Sequence, residues 1–215
     1  MLRTLALSAA LISTTVHAQT HFGIRGGWNQ CLYDSEEIWY TGKMNSFHLG
    51  GALSLGDPGA SGLSVELYLS GRGVTGAQLN LDYNGLMEQA PADHKVLYLD
   101  LPLLFRIGII AEGLFVETGF NASFLLNANV SGAGLSSAEA EMTADGYKGT
   151  VFGFLGGLGY VHASGIGASV RGGLSFGDAY EEQFPGLSVY SSDEDPKTQF
   201  ELVQVSLLYY FGVDR

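Results

Sequence analysis

The chain has 215 residues, a formal net charge of −12 and one cysteine. That length sets a single domain as the expectation, and a lone thiol builds neither a disulfide framework nor a cysteine metal centre. The acid excess argues against nucleic acid or anionic lipid headgroups as partners, since both are held by basic patches.

The first 18 residues read as an export signal. Arg3 supplies a positive start, Leu5 to Ile12 is a short apolar core, and Val16 and Ala18 put small residues at the −3 and −1 positions of a cleavage site. The expected domains are therefore a signal peptide over 1–18 and a barrel over 19–215. Cleavage after Ala18 removes Arg3 and no acid, leaving a formal charge of −13. Beyond it no run of about 18 apolar residues occurs, so no spanning helix is expected.

The rest of the chain alternates. Phe22, Ile24 and Trp28 oppose Arg25 and Asn29; Phe47, Leu49, Leu53 and Leu55 oppose His48 and Ser54; Leu63, Val65, Leu67 and Leu69 oppose Glu66, Tyr68, Ser70 and Arg72. The clearest case is 97–107. There Leu97, Leu99, Leu101, Leu103, Phe105 and Ile107 share one face, and Tyr98, Asp100, Pro102, Leu104 and Arg106 share the other. Successive strand side chains point to opposite faces, and about 9–11 residues is what a tilted strand needs to cross a bilayer. Leu114, Val116, Phe120, Phe124 and Leu126 then oppose Glu117, Asn121 and Ser123. Residues 151–160 are nearly all apolar or glycine, and Ile166, Ala168, Val170, Leu174 and Phe176 oppose Ser169, Arg171 and Ser175. In the last segment Val203, Val205, Leu207, Tyr209 and Phe211 form the outer set, leaving Leu202 and Leu208 inward with Gln204 and Ser206.

Eight strands are thus expected over 21–30, 45–55, 63–73, 95–109, 114–126, 150–161, 166–176 and 199–211. Long connections (31–44, 74–94, 127–149, 177–198) alternate with short ones (56–62, 110–113, 162–165) that carry turn residues such as Asp57-Pro58-Gly59 and Ser164-Gly165. This is the pattern of an all-β, eight-stranded, antiparallel, up-and-down transmembrane β-barrel in a bacterial outer membrane, with long extracellular loops and both termini in the periplasm. Interfacial aromatic girdles are expected from Trp28, Phe47, Phe124, Phe152, Phe176 and Phe200 at the loop end, and from Phe22, Tyr160, Tyr209 and Phe211 at the turn end. Cys31 lies too far past Ala18 to be an acylated N-terminal residue and is expected as an unpaired rim residue. Pro102 cannot donate to a ladder, so a bulge or an unpaired donor position is expected there.

The charges sort by face. Arg25, Arg72, Arg106 and Arg171 fall mid-strand opposite the apolar set, together with His48, Glu66, Asp100 and Glu117. A soluble, lipocalin-like carrier would reverse this. An eight-stranded interior is about filled by side chains, and buried charges persist when paired. These eight residues are therefore expected to form a salt-bridged plug rather than a selective pore. The remaining acids crowd the long loops. Ser191 to Asp195 offers hard oxygens for calcium but lacks an EF-hand's spacing and closing glutamate, so solvated acidic loops are expected and no cofactor is assigned.

Three stretches taken together, Phe22-Gly23-Ile24-Arg25-Gly26-Gly27-Trp28-Asn29, Tyr98 to Arg106 (YLDLPLLFR) and Phe115 to Phe120 (FVETGF), resemble the PorT-like outer-membrane β-barrel family of Bacteroidetes-type bacteria. The resemblance implies an outer-membrane barrel and brings no shared catalytic residues. An outer-membrane lipid hydrolase or acyltransferase would need a serine–histidine pair with an orienting acid. His48 near Ser46 is the one suggestive pairing, and His21, His94 and His162 are scattered. The expected function is thus non-enzymatic: a membrane-anchored barrel in contact with outer-membrane lipid, presenting acidic loops for contact or adhesion. The alternative is an accessory to secretion or outer-membrane assembly with periplasmic rather than extracellular protein partners.

Overall fold

A computed structural model describes residues 19–34, 42–83, 86–109, 113–132, 137–176 and 199–213. The expected signal peptide, the 177–198 connection and its Ser191–Asp195 run lie outside the described residues. Eight strands, β1 (Thr20–Asp34), β2 (Gly42–Leu55), β3 (Gly62–Tyr83), β4 (Leu86–Gly108), β5 (Leu114–Gly132), β6 (Thr150–Val161), β7 (Ile166–Phe176) and β8 (Gln199–Tyr210), pair in sequence order. All pairings are antiparallel, and β8 closes on β1, from Gly23↔Tyr210 to Asp34↔Gln199. Closure leaves no strand edge along the wall, which is the condition for crossing hydrocarbon with strands.

The alternation decides which face looks out. Leu101, Leu103, Phe105 and Ile107 are 41–61% exposed, while Asp100, Leu104 and Arg106 between them are at most 2% exposed. A soluble carrier would show the opposite. Polar outward residues end the apolar band at the loop end: Gln30 and Asn45 above Trp28 and Phe47, and Lys95, Asn127 and Asn129 above Leu126. Nine of the ten expected girdle aromatics lie outside. Phe200 does not: it is 1% exposed and packs inward with Leu202, because it shares that residue's parity. Cys31 is likewise not a rim residue. It has the parity of Arg25 and Asn29 and is buried in the same apolar cluster.

Two of the expected long loops are partly regular. Over 74–94, β3 and β4 continue as a paired ribbon up to Tyr83↔Leu86. A β-bulge between Val74 and Ala77 starts the ribbon, with Gly76 at φ 67° and its N–H donating to Asp93 Oδ1 (3.0 Å); only glycine adopts that φ readily. Over 127–149, β5 runs on to Gly132 and a short helix, α1 (Ser137–Asp145), follows. Of the short connections at the other end, 110–112 lie outside the described residues, and 56–62 and 162–165 are turns. In the last of them Gly165, at φ 83°, donates to His162 O and accepts from Tyr210 N. At Pro102 no bulge forms. Pairing with β5 is unbroken (Pro102↔Asn121), and on the β3 side it lapses opposite Leu101 and Pro102 and resumes in the same register.

Candidate functional site: the barrel interior

The inward faces stack in layers along the barrel axis. At the turn end Ala52, Phe115, Val161, Leu208 and Tyr210 form an apolar floor. Above it lies an ionic layer drawn from five strands. Glu66 receives Arg171 through both terminal nitrogens (2.6 and 2.8 Å), Arg25 Nη1 (3.2 Å) and Arg106 Nη2 (3.3 Å). Glu117 receives Arg171 Nε (2.5 Å) and Arg106 Nε (3.1 Å), with Arg25 Nη2 at 3.6 Å. Arg25 also donates to Ser169 Oγ (2.7 Å). All five side chains are at most 1% exposed. Planar guanidinium forks suit this work, because each can serve two carboxylates at once. The layer holds three cations against two anions, and part of the surplus is met by ring faces: Arg106 lies 4.7 Å from the centroid of Phe115 and 5.5 Å from that of Tyr210.

The next layer is neutral. His48 Nδ1 lies 2.7 Å from Asn29 Oδ1, and its Nε2 lies 2.8 Å from Ser206 Oγ. An amide oxygen only accepts, so the proton sits on Nδ1 and Ser206 donates to Nε2. Asn29 in turn donates to Ser70 Oγ, Phe47 O and Gly71 O, and Gln204 donates to Asn29. Ser206, His48 and Asn29 are thus ordered as a nucleophile, base and orienter would be. The pairing suggested by sequence, His48 with Ser46, is not the one formed. Each of the three is at most 1% exposed inside the filled barrel, so no substrate reaches the hydroxyl.

Higher still, Arg72 Nη2 donates to both oxygens of Asp100 (2.7 Å each) and to Ser123 (3.0 Å), with its guanidinium 4.9 Å from the Tyr98 ring centroid. A gap of about 20 Å³ beside Arg72, Asn121 and Ser123 has room for one water, not for a solute path. A second apolar cluster then closes the loop end, built from residues including Cys31, Val96, Val130, Tyr147, Phe200 and Leu202.

The eight residues expected as one interior network are all buried, and they fall into three groups: Arg25, Glu66, Arg106, Glu117 and Arg171; the Arg72–Asp100 pair; and His48 among neutral partners. The roles of Asn29, Ser169, Gln204 and Ser206 were missed, although parity already placed each on the inward face. The glycines of β6 also acquire a reason. A Cβ on Gly157 would fall 2.8 Å from Arg171 Cγ, and one on Gly159 would fall 2.4 Å from the Phe115 ring. β6 therefore lacks side chains where the arginine and the floor ring need the volume. Among the described residues no group of His, Cys, Asp or Glu is placed to hold a metal ion.

A model of the outer membrane protein beta-barrel domain family matches residues 17–181. Among solved structures, the barrel is similar to Neisserial surface protein A (NspA), with TM-score 0.51 and 11% identity, covering 88% of this chain and 97% of that one. It is also similar to OprG from Pseudomonas aeruginosa (TM-score 0.46, 15% identity, 92% and 98% covered) and to Ail, the attachment invasion locus protein of Yersinia pestis, solved with the heparin analogue sucrose octasulfate (TM-score 0.46, 11% identity, 89% and 99% covered). At these identities the likeness is one of fold. No curated protein matches the chain.

Proposed function

Because the chain belongs to the outer membrane protein beta-barrel domain family, and so to the bacterial outer membrane, we propose that it is a non-enzymatic anchor whose acidic outer segments contact other molecules at the cell exterior. The observation that carries this reading is the filled lumen. Side chains occupy it from the Phe115–Tyr210 floor to Tyr147 at the loop end, which leaves no room for transport or catalysis inside the barrel and favours recognition by the segments outside. Segments 31–44, 74–94, 127–149 and 177–198 hold most of the chain's acids against three lysines, Lys43, Lys148 and Lys197, and no arginine. Clustered charge of one sign steers association toward the opposite sign, so the favoured partners are basic surfaces.

Export by a signal cut after Ala18 and membership of the PorT-like branch belong to the same proposal. They are supported by the tripartite N-terminus and by the F-G-I-R-G-G-W-N and Y-L-D-L-P-L-L runs. Proteoliposomes carrying the barrel are expected to bind immobilised polylysine and not heparin, and to release it at about 0.5 M salt, where the screening length falls to a few Å. Replacing Asp178, Glu181, Glu182, Asp193, Glu194 and Asp195 by their amides should weaken capture at least tenfold; unchanged capture would remove the acidic segments from the function.

A further inference from the structure

The apolar cluster at the loop end is not sealed by the barrel wall alone. The chain leaves β5, forms α1 and returns through Tyr147, whose ring enters the barrel mouth and is 3% exposed. Its hydroxyl lies 2.8 Å from His94 Nδ1, and the two rings meet edge to face at 6.1 Å. Among the described side chains of α1, Ala140 and Ala144 are half-buried, four residues apart on one face, while Ser137, Glu141 and Asp145 are exposed. The return is tied to the wall by Leu125 N–H donating to Gly149 O (2.8 Å). Among the described side chains of 137–149, Tyr147 is the one large residue buried in the apolar cluster, and it anchors the segment there. His94 itself lies above Lys95, which ends the lipid-facing band, and so sits outside the membrane span.

We propose that residues 137–149 are a lid over the barrel mouth, latched by Tyr147 on His94, and that acid releases the latch to expose the apolar chamber beneath. The chamber, lined by Cys31, Val74, Val96, Val130, Phe200 and Leu202, has Tyr147 as its own occupant. A protonated imidazole in such surroundings lacks the solvation that an open mouth would give it. Burial holds His94 down to about 4, from an ordinary value of 6.5.

Among the described side chains, the charged groups on the elements around it are Asp93 on its own strand, Glu141 and Asp145 on α1, Lys148 just beyond, Lys43 and Lys95 at the rim, Glu201 on β8, and the Arg72–Asp100 pair below. Of these, Asp93 favours the charged form and is outweighed by burial. The shut state therefore binds the proton more weakly than the open one. Its advantage is complete above pH 6.5 and is lost as pH falls toward 4, shifting the equilibrium by on the order of 10²-fold.

The chain's one thiol reports on this directly, because Cys31 is 1% exposed within the chamber. The probe is 2,2′-dithiodipyridine, which attacks thiols at neutral and acid pH, with rates divided by those of urea-unfolded protein at the same pH. Wild type should react slowly at pH 7.5 and at least tenfold faster at pH 4.5. Tyr147→Ala should react fast at both pH values, and His94→Leu, which loses the latch bond but has no group to protonate, at the same moderately raised rate at both, with gel migration before heating confirming an intact barrel throughout. Tyr147→Phe, which loses only the hydroxyl, should fall between wild type and Tyr147→Ala, and replaces the latter if that variant does not fold. A folded Tyr147 variant no faster than wild type would overturn the lid. A wild-type rate flat with pH, or an acid rise surviving in His94→Leu, would overturn the acid latch.

Discussion

Glu66→Leu is expected to leave the barrel barely able to fold. The carboxylate lies among Arg25, Arg106 and Arg171 and takes four of their N–H groups. Without it, three guanidiniums share Glu117 in a layer closed to water. Removing one partner of a buried pair costs about 3–5 kcal/mol, and here three partners lose a counter-charge together. Whole domains are stable by only about 5–15 kcal/mol, so the upper end of that cost consumes much of the margin. Refolding into detergent micelles, followed by gel migration with and without heating, should show little or no heat-shifted band for Glu66→Leu. Glu66→Gln keeps the shape and loses the charge, and should be impaired nearly as much. A wild-type urea midpoint for either variant would mean that the ionic layer does not hold the barrel.

Asp100→Leu should be damaging for the same reason but on a smaller scale, near the low end of the 3–5 kcal/mol range. Asp100 has one cationic partner, Arg72, and the stranded guanidinium would keep Ser123 and the faces of Tyr98 and Phe200, at 4.9 and 5.8 Å. The sharper expectation concerns the pair. Arg72→Met combined with Asp100→Leu replaces two desolvated charges by apolar groups beside a cluster that is already apolar, and such exchanges are often neutral or stabilising. The double variant should therefore regain most of what Asp100→Leu loses. Urea titrations of the four proteins of this cycle measure the coupling directly. A double variant as unstable as the sum of the single ones would contradict pairing between Arg72 and Asp100.

Parity made the wall legible. The run from Leu97 to Ile107 tells lipid from lumen without reference to any other strand, since one face is wholly apolar and the other charged. Where another cue competes with parity, parity decides the face. Phe200 was grouped with the outer aromatics because it is a ring near a strand end, although its even number places it with Leu202 and Leu208. Cys31 was assigned to the rim although it continues the inward series of Arg25 and Asn29.

The ribbon over 74–94 also had its signal. Asn84-Gly85 sits between Leu79-Asn80-Leu81-Asp82-Tyr83 and Leu86, and that dipeptide between alternating residues marks a hairpin. Taking bilayer thickness as the limit of a strand hid it. Similarly, Ser137 to Asp145 is rich in alanine and glutamate, both good helix formers, but lay within a stretch read only by its length. The pairings across the lumen were not legible at all. Arg171 and Glu66 are 105 residues apart, and parity gives a face but neither the height along the axis nor the strand opposite. Those follow from register and closure, which belong to the whole sheet.

Spin labels along β4, in a Cys31→Ala background reconstituted into liposomes, test the arrangement most directly. Labels at Leu101, Leu103, Phe105 and Ile107 should collide readily with oxygen dissolved in the lipid, whereas labels at Tyr98 and Leu104 should collide with neither oxygen nor a water-soluble nickel complex. Nickel contact at Leu104 equal to that of a solvent-exposed label would mean a water-filled lumen, and at Leu103 it would mean a wall facing water; either result contradicts a closed, charge-filled barrel in lipid.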